Sequence, residues 1–488
     1  MKNIFNYLMS VMFALFVVSS CSDDDLLQTP PGDANVDNYF NNNDEFTAAI
    51  LGAYNGLKGN GMYSGNGNAE SIIILGDLLS DNLITSQEGR GSNRDTHNFL
   101  YDGGSVPNYV YGTLYTVISR TNLILGNTHK IEDESFKALI EGEALALRGI
   151  AHFELAKHFI KAPTQSADAN SSVGIAYVTE FDPYAQPSRL ATVQETYQRI
   201  MEDLENSLDG LPSSVQTDRL SKPAVQAMIG RVALYMGDYP KVITNLNPVV
   251  SSVAPTPKDE LQRYWRYQTS LGILFEIPMS SSGDPQISNN YSQGTNNSSI
   301  VIEYSADKEL RDLYNDATEP ERISSFFKVL KNQNVCWKYA QAASGLSAFG
   351  RYLRVEEAIL NLAEAQYLND DESGALATLN ILRNARYSSY AGGESGTALF
   401  DAIMLERRKE LAFEGDRFFT LKRLQNVPGI PDSYKQGVIR SGNGHLQDGS
   451  GVPPAVLTLQ PSSHKWQMPI PVGDLILNPN MTQTPGYN

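Results

Sequence analysis

Between Glu134 and Lys161 the residues Ile140, Ala144, Leu147, Ala151, Leu155 and Phe159 recur at three- and four-residue steps with no intervening proline. That spacing is the mark of one long amphipathic helix, which must bury its stripe against other layers. The same period predicts helices at Asp44–Lys58, Asn108–Asn127, Thr192–Leu208, Lys222–Met236, Tyr239–Leu246, Tyr352–Leu368, Glu372–Ala385 and Ala398–Glu414. Four of these runs form two pairs. Ala224–Met236 is followed by Tyr239–Leu246 across Gly237-Asp238, and Ala358–Leu368 by Ala375–Ala385 across Asn369-Asp370-Asp371. An aromatic residue and a small-polar turn between alanine-bearing helices are features of tetratricopeptide-like units, in which each pair buries its face on the next.

Three stretches lack the helical period. Gly59–Gly104 is rich in Gly, Asn and Ser, Val249–Ser299 in Ser, Asn, Pro and aromatics, and Pro428–Pro461 in Gly and Pro. Loops this long inside a compact chain are uncommon unless they carry function. A helical scaffold bearing polar, aromatic loops is the form of a binding protein.

The N-terminus has Lys2, an apolar run of 11 residues from Leu8 to Val18, and then Ser19-Ser20-Cys21. The run is too short to span a hydrocarbon core of about 30 Å but fits the apolar segment of a secretory signal. Small residues ending in cysteine resemble a bacterial lipobox, which implies residues 1–20 as a signal peptide and acylation of Cys21. Lipidation there gives more than one chain, enough for stable anchoring. Residues 21–36 read as a tether, and its Ser22-Asp23-Asp24-Asp25 resembles a surface-export signal of Bacteroidetes lipoproteins. Beyond Cys21 the chain has only Cys336, so no intramolecular disulfide can form, and the apolar Val335-Cys336-Trp337 context favours an inert thiol. The net charge of −17 makes the chain a poor ligand for nucleic acid.

Three further blocks carry a family resemblance. The first is Glu141-Gly142-Glu143-Ala144-Leu145-Ala146-Leu147-Arg148, continuing through His152 to Phe159. The second runs from Arg354-Val355-Glu356-Glu357-Ala358 to Ala365, through Leu379–Arg383, and on to Glu406-Arg407-Arg408-Lys409-Glu410 and Gly415-Asp416-Arg417. The third is Pro469-Ile470-Pro471 followed by Asn478–Tyr487, with Thr484 before Pro485-Gly486-Tyr487 where asparagine is usual. With the lipobox, they resemble the SusD/RagB family of outer-membrane lipoproteins over essentially the whole mature chain.

The resemblance implies one domain over 37–488, predominantly all-α, with four tetratricopeptide-like helix pairs and long irregular loops. It implies an outer-membrane protein, lipid-anchored and facing the cell exterior, that captures an oligomeric nutrient and hands it to a TonB-dependent, SusC-like transporter. Most members are associated with glycans and a RagB-like branch with peptides. A helical-repeat scaffold that binds another protein, without a small ligand, is the other class of reading. The resemblance places the ligand site in loops near 59–104 and 249–299. Candidate residues there are Tyr63, Asp81, Asn82, Arg90, Asn93, Arg94, Trp265, Tyr267 and Tyr291, since aromatic faces and planar polar groups suit both sugars and peptides. Trp337 and Trp466 are read as core. Arg148, Glu364, Arg407, Glu410 and Arg417 are read as ion pairs tying helix ends to the C-terminal segment.

The sequence has no G-x-S-x-G, H-E-x-x-H, phosphate-loop or C-x-x-C pattern. His152 and His158, six apart, do not form an i, i+4 metal pair, and no contiguous calcium loop is present. The expectation is therefore a binding protein with no catalytic residues, cofactor or resident metal.

Overall fold

The computed structural model describes residues 39–59, 61–63, 71–88, 91, 93–105, 108–279, 284, 287–293, 300–339 and 348–487. The signal, Cys21, the tether and Arg90 lie outside the described residues.

Helices dominate. They are α1 (Asn43–Gly56), α2 (Ile72–Leu78), α3 (Asn108–Asn127), α4 (Glu134–Phe159), α5 (Val193–Ser207), α6 (Lys222–Met236) and α7 (Tyr239–Ser252), then α8 (Pro320–Phe326), α9 (Val355–Leu368), α10 (Glu372–Asn384), α11 (Thr397–Glu410) and α12 (Arg417–Leu424). The stripe Ile140, Ala144, Leu147, Ala151, Leu155 and Phe159 is wholly buried. Because α4 packs against α1, α3 and α5, its polar residues are buried as well and must be paired. Arg148 Nε and Nη2 donate to Asp203 at 2.8 and 2.6 Å, and Glu143 accepts from Arg219. His152 and His158 each place Nδ1 against the carbonyl four residues earlier.

The helix pairs form at the expected breaks. The backbone of Gly237 turns left-handed, with φ +76°, and closes α6; the Asp238 carboxylate then accepts from Lys241 N at 3.1 Å and starts α7. Asp370 and Asp371 divide the work in the same way before α10, where Asp371 accepts from Gly374 N at 2.9 Å. Gly230 lets α7 approach closely, since a Cβ there would stand 2.5 Å from Leu246 Cδ2.

Some boundaries differ from the sequence reading. α7 continues past Leu246 to Ser252, through Pro248. Tyr352–Arg354, expected as helix, belongs to strand Gly350–Arg354, which pairs antiparallel with Ile273–Ile277 before running into α9. The stretch 59–104 contains α2, an apolar segment capped by Ser71 and buried throughout, and strand Leu83–Thr85. A hairpin of Phe327–Leu330 and Gln333–Cys336 follows α8. These strands are β1 (Leu83–Thr85), β2 (Ile273–Ile277), β3 (Tyr304–Ala306), β4 (Phe327–Leu330), β5 (Gln333–Cys336) and β6 (Gly350–Arg354). Among the described residues each belongs to a two-stranded sheet.

Candidate functional site

The first polar stretch singled out by sequence, 59–104, meets residues 303–307, just past the end of the second, and Lys58 at its start reaches Asp284 within the second. Strand β1 pairs antiparallel with β3 in the register Leu83↔Ala306, Ile84↔Ser305, Thr85↔Tyr304. Asp307 N donates to Asn82 O at 2.9 Å, Ser86 N donates to Glu303 O at 2.9 Å, and Lys58 pairs with Asp284 at 3.2 Å. The side chain of Asn93, itself at φ +56°, donates to the Tyr304 hydroxyl at 3.2 Å, joining positions 211 residues apart. A rigid scaffold thus carries one composite loop face.

Few of the residues expected on that face present their side chains there. Trp265 is 1% exposed, because it ends a short helix, Leu261–Trp265, wedged under α8 and β6. Its ring meets Phe326 and Tyr339 edge-on at 6.0 and 5.6 Å, with the Lys338 ammonium 4.7 Å away. With its surroundings occupied by protein, it is a core residue rather than a stacking platform. Tyr291 is likewise buried, stacked on Tyr339 at 5.8 Å and donating to Phe413 O at 2.7 Å. Tyr63 is buried against Gly350. Tyr267 is half-buried, with its hydroxyl on Phe349 O at 3.3 Å and the Arg351 guanidinium 4.7 Å from its ring.

Asp81 and Asn82 are also buried, in structural roles. Asp81 accepts two bonds from Arg417, at 2.8 and 2.9 Å, and pairs with Arg408 at 3.2 Å. Burial alone would raise its pKa, but these two guanidiniums hold the carboxyl well below the usual range. Asn82 donates to Asp77 at 2.7 Å and accepts from Arg408 at 3.1 Å. Burial pushes Asp77 up to about 7 despite hydrogen bonds from Asn82 and Gly415 N. Of the nine candidates, Arg94 stands exposed, touching Gln87 at 3.4 Å, and Asn93 is half-exposed beside it.

The charged residues of the motif blocks act as buried ties, but not to the C-terminal segment as expected. Glu410, at the end of α11, ties it to β6, to α8 and to the segment just after α10 through Arg354, Arg322 and Arg386. Arg407 clamps Asp416 and Asn361, and Arg423 clamps Glu364. Trp466 is buried, stacked on Phe418 at 4.7 Å. Cys336 is buried too, and burial pushes its thiol up.

Two cavities bear on ligand binding. One, beside Tyr63, Glu154, Arg231, Arg351 and Glu414, encloses about 70 Å³. Sites for drug-sized ligands run to roughly 300–1,000 Å³, so this space suits water rather than an oligomer. The other, about 560 Å³, lies between the C-terminal end of α4 and the chain's last segment. It is lined by Gln165, His464 and Gln467 among others, and sequence reasoning missed it. No local pattern marks residues 302 positions apart that meet only on folding.

Residues 45–234 match the family model described as "Starch-binding associating with outer membrane", of SusD-like type, and residues 288–487 match the SusD family model. SusD-like protein P2 of Formosa agariphila is 21% identical over 99% of both chains. A putative sugar binding protein from Bacteroides vulgatus superposes with TM-score 0.77 at 24% identity, covering 92% of this chain and 99% of the other. Surface glycan-binding protein A from Bacteroides uniformis superposes with TM-score 0.73 at 17% identity, covering 92% and 100%. These superpositions show a shared fold. With two matched segments in order along most of its length, the chain belongs to the SusD/RagB family.

Proposed function

We propose that this protein is a cell-surface lipoprotein, anchored through Cys21, that captures an oligomeric glycan and delivers it to a TonB-dependent outer-membrane transporter. The observation that carries the reading is the composite face made by the first polar loop and the distant segment that follows the second, on a scaffold of a family whose matched model is described as starch-binding. Names of the structural neighbours, a sugar binding protein and a glycan-binding protein, point the same way. Arg94 and Asn93, with Arg90 beside them in sequence, are the polar groups proposed to meet the ligand. Such a protein binds and hands over, without a catalytic step.

The buried state of Trp265 favours a second reading, of a RagB-like peptide binder, because it removes the only tryptophan of these two loops from stacking. Glycan remains the first reading on the matched family description.

Extraction of the native membrane in mild detergent tests the anchor and the partner together. The wild-type chain is expected to co-purify with a large outer-membrane barrel, and Cys21→Ser to leave the membrane fraction. A wild-type chain recovered alone would overturn delivery to a transporter; Cys21→Ser retained in the membrane would overturn the anchor.

A further inference from the structure

The cleft of about 560 Å³ at the C-terminal seam has features of a built site. The last segment docks on α4 through Met468 N, which donates to His158 O at 2.8 Å, and on α12 through Trp466, stacked on Phe418. This brings Gln467 against Gln165, its Nε2 donating to Gln165 Oε1 at 2.8 Å. Ala162 N donates to the same oxygen at 3.2 Å. A backbone N–H can only donate, so the orientation of the Gln165 amide is fixed, and that of Gln467 follows from it. Two atoms are left over. Among the described residues, neither Gln165 Nε2 nor Gln467 Oε1 has a hydrogen-bond partner. Yet the two side chains are only 5% and 7% exposed, and both line the cleft.

One open donor and one open acceptor on the cleft wall can be met together by a partner offering both. Neighbouring hydroxyls on a sugar ring do so: one accepts from Gln165 while the next donates to Gln467. The surrounding walls suit the rest of such a ring. Phe159, Ile160, Val173, Pro461 and Pro485 supply apolar surface for its C–H face. Lys161 at the edge is neutralised by Asp168 at 2.8 Å, and Arg189, also on the wall, donates Nε to Gly174 O at 2.7 Å and Nη1 to Thr482 O at 3.2 Å. The volume falls in the range of small-molecule sites.

We propose that this cleft is a second saccharide site, separate from the composite loop face, that holds the vicinal-diol edge of a sugar residue. The assignment to sugars rests on the glycan reading above.

His464 lies on the cleft wall, its ring edge-on to Tyr487 at 4.7 Å, and provides a local reporter. The chain from residue 22 onward, labelled at histidine, is titrated with methyl glucoside, methyl galactoside and methyl mannoside while the ring signals are followed by NMR. His464→Gln assigns the signal. At least one glycoside is expected to shift His464 saturably, whereas tetrahydropyran-2-methanol, a ring without the diol, does not. Gln467→Leu is expected to weaken the response by about tenfold, the effect of losing one hydrogen bond. Val173→Trp, which fills the cleft and leaves the amide pair in place, is expected to abolish it. A His464 signal unmoved by every glycoside overturns the site, as does a shift that persists in both variants. If oligosaccharide still binds by calorimetry while His464 stays silent, only the second site falls; if no oligosaccharide binds by any readout, the glycan reading itself falls.

Discussion

Glu410→Gln is expected to cost about 3–5 kcal/mol of folding stability, the range for breaking a buried ion pair from one side. Glu410 is fully buried, with both oxygens occupied. Oε1 accepts from Arg354 Nη1 at 2.7 Å and Arg386 Nη2 at 2.9 Å; Oε2 accepts from Arg322 Nη2 and Arg386 Nε, each at 2.8 Å. Burial would raise the pKa of this carboxyl, but the three guanidiniums reverse the shift and hold it well below the usual value. Glutamine keeps the shape and loses the charge, and its amide nitrogen then faces guanidinium donors. Glu356, Glu406 and Glu414 still pair with the three arginines, which places the loss toward the lower end of the range. Urea unfolding measures it. The matching control is Glu260→Gln, which removes a pair with the exposed Arg263 and should cost no more than about 1 kcal/mol. Equal losses for the two variants would mean that the cluster does not behave as a buried one.

Gly76→Ala is expected to be as severe. A Cβ at Gly76 would stand 1.8 Å from Gly415 O and 2.3 Å from Gly415 C, so the clash is with backbone and no side chain can swing away. Gly415 is confined in turn: its φ is +76°, and a Cβ there would meet Ile72 O at 2.3 Å. The contact seats α2 on the turn leading into α12, and Asp77 locks it by accepting from Gly415 N at 2.8 Å. Separating the two backbones would break that bond as well. We expect a loss of about 3 kcal/mol or more, combining overpacking with a buried donor left unpaired, read as sensitivity to limited proteolysis. Gly52→Ala is the contrast, because nothing lies within 4 Å of its Cβ position in α1. It should be neutral or stabilising by about 0.5–1 kcal/mol.

Much of the scaffold was legible in the sequence because helical burial follows local spacing. Every residue of the α4 stripe is buried, and the breaks at Gly237-Asp238 and Asp370-Asp371 are caps whose chemistry is written in those residues. What the loops do was less legible. Ile72–Leu78 falls within the stretch 59–104 read as an irregular loop, and it is a buried helix because α12 packs on it from far along the chain. Trp265 looked like a ring stranded among polar neighbours. Its partners Phe326 and Tyr339 arrive from 61 or more positions away in sequence, and nothing near Trp265 announces them. The motif carboxylates and arginines do act as ties, but they join β6, α8, α9, α11 and α12 to one another rather than helix ends to the C-terminal segment, since their partners are set by the fold and not by spacing.

The account's central claim is capture of a glycan at the composite loop face, and calorimetry tests it most directly. The chain from residue 22 onward is titrated with a panel of oligosaccharides and with mixed peptides, alongside Arg94→Ala. That substitution removes an exposed side chain and leaves the core untouched. The account predicts saturable heat with at least one oligosaccharide, none with peptides, and about tenfold weaker binding in Arg94→Ala, as for one lost hydrogen bond. A response to peptides alone, or an oligosaccharide response indifferent to Arg94, would contradict it.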